Sequence, residues 1–469
     1  MKRSSIFVAI AIAFSAITTA VVLLDGPAPV VLDAASYWQF GESVADGDWL
    51  LHGHAIAYRT PGFPWFVAMC QRIGGVRGLG LVVLLQGCMC VLLVPLCAWI
   101  ASRLTPSSSS EMASMATAIF MSLCFSRLYL ARAVLGESLF VFIMVLHLAC
   151  VIMFVHSDTK YRWAIAGGFT LALMILVRPI GQWLWLAHFF LVVPLFWQRD
   201  VNSSQQRMLR FIASLVMMAV IAAITISPWW VRNSTLFGKP FLTEFVGRNI
   251  WIVTFQDQAG AGLPLPETEE STELQQIVRA TAPGANLIKT WEVSDALFRS
   301  GMADDTVDRL MRTVALQSIK KNPAIWSERM VRRIVNFFRC ISDAPPEFSG
   351  TNSIPQGQLW WHVPTIAERA VRSLRFSPHL WANMFVTFVI GIAWLRIVTI
   401  SSLRLPALWL GALIGYFAVI TAAIEIPDYR YRLVVEPLMA IVGGLAVGSL
   451  FGDRAQRHLD TQDSATSPN

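Results

Sequence analysis

Ten stretches of this chain are apolar enough to span a bilayer: 6–24, 79–101, 112–128, 138–156, 163–177, 182–197, 211–227, 381–399, 405–424 and 433–451. Most approach the roughly 20 residues that cross the hydrocarbon layer, and 112–128 and 163–177 are short for it. The pattern predicts an all-α polytopic membrane protein with about ten transmembrane helices. The first run, IFVAIAIAFSAITTAVVLL after Lys2-Arg3, is 19 residues long. A signal-peptide core has roughly 7–15, so this run reads as an uncleaved first helix.

If Lys2 and Arg3 hold the start in the cytoplasm, the even count returns the carboxy terminus there. The cytoplasmic connections then carry Arg103, Lys160, Arg162, Arg199, Arg207, Arg210, Arg396 and Arg404. The opposite connections nevertheless keep Arg127, Arg132, Arg178, Arg430 and Arg432, against the orientation rule, which points to a functional use. The pattern divides the chain into an N-terminal transmembrane module 1–227, containing a first extracytoplasmic loop 25–78, and an extracytoplasmic domain 228–380. C-terminal transmembrane helices 381–452 and a flexible cytoplasmic tail 453–469 follow. Within 228–380, DDTVDRLMRTVALQSIKKNPAIWSERMVRRIVNFF predicts two helices interrupted at Asn322-Pro323. The second interleaves Ile325, Met330, Ile334 and Phe337-Phe338 with Arg329, Arg332 and Arg333, which suits either an interfacial helix or an amphipathic helix on a soluble domain. SSSS at 107–110 and the tail HLDTQDSATSPN read as flexible segments.

Composition supports the membrane reading: 55% of the 469 residues are hydrophobic and 14% charged. The formal net charge of +7 comes from scattered basic residues with no dense Lys/Arg block, so no nucleic-acid partner is expected and the excess serves orientation and lipid-phosphate contact. The seven cysteines, mostly inside apolar runs, lack metal or disulfide spacing. Cys88 and Cys90 would point to different faces of a helix.

Asp33 stands where a helix over 34–45 begins, with Tyr37 one turn on along the same face. One reading makes it an N-cap; Ser36 leaves the capping box incomplete. Farther on, Arg59 precedes Pro-Gly-Phe-Pro, a rigid turn expected to start the chain back into the bilayer. The segment thus puts an acid and a cation on one membrane face.

In order, DAASY at 33–37, GDW at 47–49, RTPGFP at 59–64, ESLF at 137–140, LVRPIG at 176–181, SPWWVRN at 227–233 and RYRLVVEP at 430–437 resemble the GT-C glycosyltransferases. Within them they resemble the protein mannosyltransferase and aminoarabinose transferase-like group, glycosyltransferase family 39. The resemblance implies a GT-C fold with a mostly helical extracytoplasmic domain. It also implies an inverting transfer of a sugar from a polyprenyl-phosphate donor to a hydroxyl-bearing acceptor, on a lipid, a glycan or a protein. Asp33 occupies the position of the catalytic aspartate, as general base; Ala34 stands where many relatives have a second acid. Glu137 matches an acidic position opening a later helix, though a carboxylate at a helix N-terminus is favourable in itself. Arg59, Arg178, Arg232, Arg430 and Arg432 are the candidates for the donor phosphate, with Tyr37 beside them, since guanidinium groups stabilise charge on a departing phosphate. Trp229 and Trp230 are expected as interfacial anchors.

No metal or other cofactor is expected. Asp46-Gly47-Asp48 spells a D-x-D sequence, with His52 and His54 nearby, but turn formation by Asp-Gly is the simpler account. No nucleotide-binding fingerprint occurs. The expected setting is a bacterial inner membrane among its lipids, with the site facing the periplasm or exterior. The alternative is a transporter or glycolipid flippase, which predicts inverted repeats and helices broken near the midplane.

Overall fold

The computed structural model describes residues 3–124, 126–157, 160–188, 194, 205–256, 260–339, 378–425 and 429–466. In chain order the helices are α1 (Arg3–Leu23), α2 (Asp33–Ala45), α3 (Gly62–Gly74), α4 (Gly78–Leu104), α5 (Ser107–Ser122) and α6 (Ser126–Leu130). Then come α7 (Glu137–His156), α8 (Lys160–Val177), α9 (Gln205–Phe237), α10 (Val246–Phe255), α11 (Glu269–Thr281) and α12 (Thr290–Arg299). The series closes with α13 (Asp304–Lys321), α14 (Pro323–Arg339), α15 (Pro378–Thr399), α16 (Arg404–Ile424), α17 (Tyr429–Arg432) and α18 (Glu436–Thr466). Among the described residues there is no strand.

The protein is an all-α integral membrane protein. Six described helical stretches are long and apolar enough to cross: Ser4–Leu23, Gly62–Leu104, Glu137–His156, Lys160–Val177, Phe211–Phe237 and Arg404–Ile424. Two shorter apolar stretches, Phe385–Thr399 and Glu436–Phe451, add to them. Half of the expected span 182–197 falls outside the described residues. The connections α4–α5, α7–α8 and α15–α16 are short. With lipid as solvent there is little hydrophobic drive between helices, so small residues decide where they approach. Gly444 and Gly448 of α18 show this, because a Cβ at either would come within 3.0 Å of α5 atoms at Thr117, Ala113 or Ser109.

Four expectations change. Residues 62–74, where a rigid turn is expected to start the chain into the bilayer, form a helix of their own packed on α2. The α9 helix runs through Pro228 to Phe237, past the expected boundary at 227/228; transmembrane helices tolerate a proline where neighbours re-satisfy the freed backbone groups. The serine run at 107–110 is the first turn of α5. The expected tail is helical as far as Thr466.

Outside the bundle, α10 to α13 enclose a second core of Trp251, Phe255, Leu274, Leu297, Met311 and Val314, all 2% exposed or less. The break between α13 and α14 falls at Asn322. The α14 helix packs on α15 and α16. Its Arg333 is buried, donating to the carbonyls of Ala422 near the end of α16 (2.6 Å) and Val253 in α10 (3.4 Å).

Candidate active site

The long connections bring polar residues together at one end of the bundle. Leu32, at φ +52°, holds a backbone conformation that L residues avoid, a strain of about 1–3 kcal/mol directly before Asp33. Asp33 then opens α2, and Leu32, not Asp33, occupies the cap position, so the capping role falls away. The carboxylate turns to two arginines instead. Arg59 Nη2 donates to Oδ1 at 2.5 Å and Arg430 Nη1 to Oδ2 at 3.4 Å. Tyr37 supports the first of these: its hydroxyl accepts from Arg59 Nη1 at 3.3 Å, and the guanidinium lies 4.8 Å from the ring centre.

Arg59 reaches this position because the start of α3 lies against the end of α8. A Cβ on Gly62 would stand 2.6 Å from the carbonyl group of Leu176, a backbone approach only glycine allows. The same end of α8 leads into Arg178, whose Nη1 pairs with Glu137 Oε1 at 2.5 Å. Glu137, the first residue of α7, is 4% exposed. Arg430 Nη1 lies 4.0 Å from Glu137 Oε1, so this arginine joins the Asp33–Arg59 pair to the Glu137–Arg178 pair. Tyr431 lies beneath both cations, its ring centre 5.1 Å from the Arg430 guanidinium and 5.5 Å from that of Arg178. A small cavity of about 20 Å³ opens under Glu137, lined also by Cys90, Arg127, Ser138 and Glu436.

A third carboxylate went unnoticed in the sequence. Glu425 follows the last residue of α16, with the Tyr431 hydroxyl as hydrogen-bond partner and Arg430 and Arg178 in its field. Burial pushes its carboxyl up to about 7, against the pull of those two arginines. Asp33 goes the other way. Burial raises its carboxyl, but the charges and hydrogen bonds of Arg59 and Arg430 hold it well below the usual carboxylate range.

The structure brings Asp33, Tyr37, Arg59, Glu137, Arg178 and Arg430 into one cluster. It leaves two expected phosphate ligands out. Arg232 is fully buried at the far part of α9, donating to the carbonyls of Leu51 (2.8 Å), Ile56 (2.9 Å) and His54, and to Asn233 Oδ1 (2.7 Å). It pins the first loop. Trp229 stacks on it, 4.5 Å from ring centre to guanidinium, and donates its indole N–H to Leu242; at 1% exposed it is no interfacial anchor. Arg432 is also fully buried, in a region shared with Cys124 and Glu436, because a one-turn helix gives Arg430 and Arg432 different faces. The Asp46-Gly47-Asp48 segment is a turn: Gly47 has φ +113°, and the Asp48 carboxylate accepts the amides of His52 (2.7 Å) and Gly53 (2.8 Å).

Deeper in the bundle, His147 Nε2 and His188 Nε2 lie 2.9 Å apart. Trp409 Nε1–H donates to His188 Nδ1 at 3.2 Å and His147 Nδ1 lies 3.1 Å from the Gly167 carbonyl. Neutral imidazoles with one proton each satisfy the whole chain, so it reads as a lock between helices.

A helical membrane protein with an acid–arginine cluster built from helix ends at one side of the bundle is thus the class that fold and site define. Residues 76–237 match the family model of dolichyl-phosphate-mannose-protein mannosyltransferases. The match covers about a third of the chain's length. The matched segment includes Glu137, Arg178 and Arg232, whereas Asp33, Arg59 and Arg430 lie outside it. No curated protein matches the sequence.

Among solved structures, the oligosaccharyltransferase AglB from Archaeoglobus fulgidus, in complex with an inhibitory peptide and a dolichol-phosphate, is 11% identical with a TM-score of 0.49. The match covers 100% of this chain and 53% of that one, so this chain spans about half the archaeal protein's length. ArnT from Cupriavidus metallidurans bound to undecaprenyl phosphate is 15% identical, with a TM-score of 0.36, covering 95% of this chain and 77% of that one.

Proposed function

We propose that this protein transfers a sugar from a polyprenyl-phosphate donor to an acceptor hydroxyl, at the end of the bundle where Asp33 lies, facing the periplasm of a bacterial inner membrane. The observation that carries the reading is Arg430 joining two acid–arginine pairs that come from five separate parts of the chain. Arg59, Arg178 and Arg430 bring three positive charges against Asp33 and Glu137. With Glu425 protonated, the cluster keeps one positive charge for one phosphodiester.

The donor phosphate would compete with Asp33 for Arg59 and Arg430. As the guanidiniums turn to the phosphate, the carboxylate loses the partners that hold its affinity for protons down, and it becomes a better base as the donor arrives. Asp33 then takes the proton of the acceptor hydroxyl while the oxygen forms its bond to the anomeric carbon. The bond from that carbon to the phosphate oxygen breaks, and the arginines stabilise the charge on the departing polyprenyl phosphate. One in-line displacement inverts the carbon. The bundle of α10 to α13 serves as a cover that helps exclude water and select the acceptor.

The test is a reconstituted transfer assay with a panel of polyprenyl-phosphate sugars. Wild type should label an acceptor with at least one donor, and Asp33→Asn, folded, should not. Equal turnover by the two removes Asp33 from the chemistry.

A further inference from the structure

The α10–α13 bundle contributes no residue to the acid–arginine cluster, yet it grips the residues just before Arg59. Asp304, in the first turn of α13, is 5% exposed. Its Oδ1 pairs with Arg248 Nη2 at 2.5 Å, while its Oδ2 accepts the backbone N–H of Ala57 at 2.6 Å. The Ala57 carbonyl in turn accepts the Glu244 amide at 2.8 Å and the Thr243 hydroxyl at 3.1 Å. Ala57 is thus held on both sides, and at 1% exposed it has no room to move alone. Next in the chain, the Tyr58 ring packs against Phe245 at 5.6 Å and Trp291 at 6.3 Å between centres. The guanidiniums of Arg248 and Arg59 lie 5.5 Å and 5.3 Å from it. The residue after that is Arg59.

A buried ion pair is a weak source of stability compared with apolar packing of the same volume. The Arg248–Asp304 pair is better explained by geometry. Arg59 ends in a fork that makes directed bonds, on a stem with about 2 kcal/mol of rotamer entropy, so its aim depends on how well its backbone is fixed.

We propose that Asp304 is a positioning residue for Arg59: by holding the Ala57 amide it fixes the Ala57–Tyr58 backbone and keeps the Arg59 guanidinium aimed at the donor phosphate beside Asp33. This rests on the reading of Arg59 as a donor ligand. The bundle would then govern the site without touching substrate, and any acceptor that shifts the bundle would alter phosphate binding.

The experiment uses the full chain in lipid nanodiscs, as wild type, Asp304→Asn, Arg59→Ala and the double variant. The readouts are affinity for undecaprenyl phosphate, kcat and KM for the donor, and amide hydrogen exchange over residues 51–62. Asp304→Asn should speed exchange in that stretch and lower kcat/KM by up to about 10²-fold, the penalty of a misaimed catalytic group. In the Arg59→Ala background the same substitution should leave phosphate affinity unchanged, since a residue acting through Arg59 has nothing left to act on. Equal losses in both backgrounds, or unchanged exchange and affinity, overturn the proposal. Thr243→Val, which removes a single bond to Ala57, should show the same pattern more weakly and replaces Asp304→Asn if that variant does not fold. A wild type that transfers no sugar refutes the function proposed above, while exchange and phosphate affinity still decide the role of Asp304.

Discussion

Replacing Asp33 by Asn removes one charge and one proton acceptor while keeping the shape of the side chain. Two effects of opposite sign follow. Loss of the general base proposed above should lower kcat by on the order of 10²–10⁴-fold. As counter-ion, Asp33 holds Arg59 at 2.5 Å and Arg430 at 3.4 Å, the groups proposed above as donor-phosphate ligands. Two unit charges about 4 Å apart attract by about 4 kcal/mol at an effective dielectric of 20. The Asp33 side chain is 39% exposed, however, and measured values for such pairs lie at about 0–1 kcal/mol. Releasing the arginines should therefore tighten binding of undecaprenyl phosphate by at most about fivefold. Turnover is read from transfer of a labelled sugar, and affinity from titration of the lipid phosphate in nanodiscs. A variant that binds the phosphate more weakly refutes the competition between carboxylate and donor. A variant within about fivefold of wild-type turnover refutes the base.

Glu425 gives the site a pH dependence. Its carboxyl is raised to about 7, so it is neutral below that value and the cluster keeps its positive charge; as pH rises through 7 it ionises and cancels that charge. The donor KM should rise across this window, and Glu425→Gln should flatten the rise; an unchanged profile would remove Glu425 from the charge balance. Gly62→Ala puts a Cβ 2.6 Å from the Leu176 backbone, an overpacking that should cost about 1–3 kcal/mol of stability and disturb Arg59, whereas Gly80→Ala meets open space and should be silent. Equal melting temperatures for the two variants would contradict this account. Arg232→Lys leaves buried carbonyls of the first loop without donors and should cost about 1–3 kcal/mol in thermal stability, with phosphate affinity measured on the folded fraction unchanged. Loss of affinity without loss of stability would return Arg232 to the phosphate site.

The spans and one face of the site were legible because both depend on local pattern. An apolar run of bilayer length says where a helix crosses, and a charge just past its end says which face it joins. Glu137 and Arg178 follow from that rule, while Asp33 and Arg59 stand out in the loop between the first two runs. Glu425 obeys it as well, directly after Ile424. Arg232 and Arg432 fit the rule yet lie elsewhere. Their position depends on whether α9 continues through Pro228 and on which side of a one-turn helix a residue falls. The loop carbonyls around Arg232 lie far away in sequence, at Leu51, His54 and Ile56, and no local pattern reports such a partner. The same holds for Asp304 and Ala57, 247 residues apart.

Assembly from helix ends also places most of these charges where a helix favours them. Asp33 and Glu137 open α2 and α7, at the positive end of each helix dipole, and Arg178 follows α8 at a negative end. Each of these sits where its charge is favoured. Glu425 is the exception: it follows α16 at a negative end, where its anion gains nothing from the helix. The cluster thus combines Asp33, whose carboxyl its two arginines hold well below the usual range, with Glu425, whose carboxyl is raised to about 7. Sugar transfer releases a proton and turns a phosphodiester into a monoester that can carry a second negative charge. Near pH 7, a site with one such carboxyl among three arginines can follow that change without rearranging its backbone.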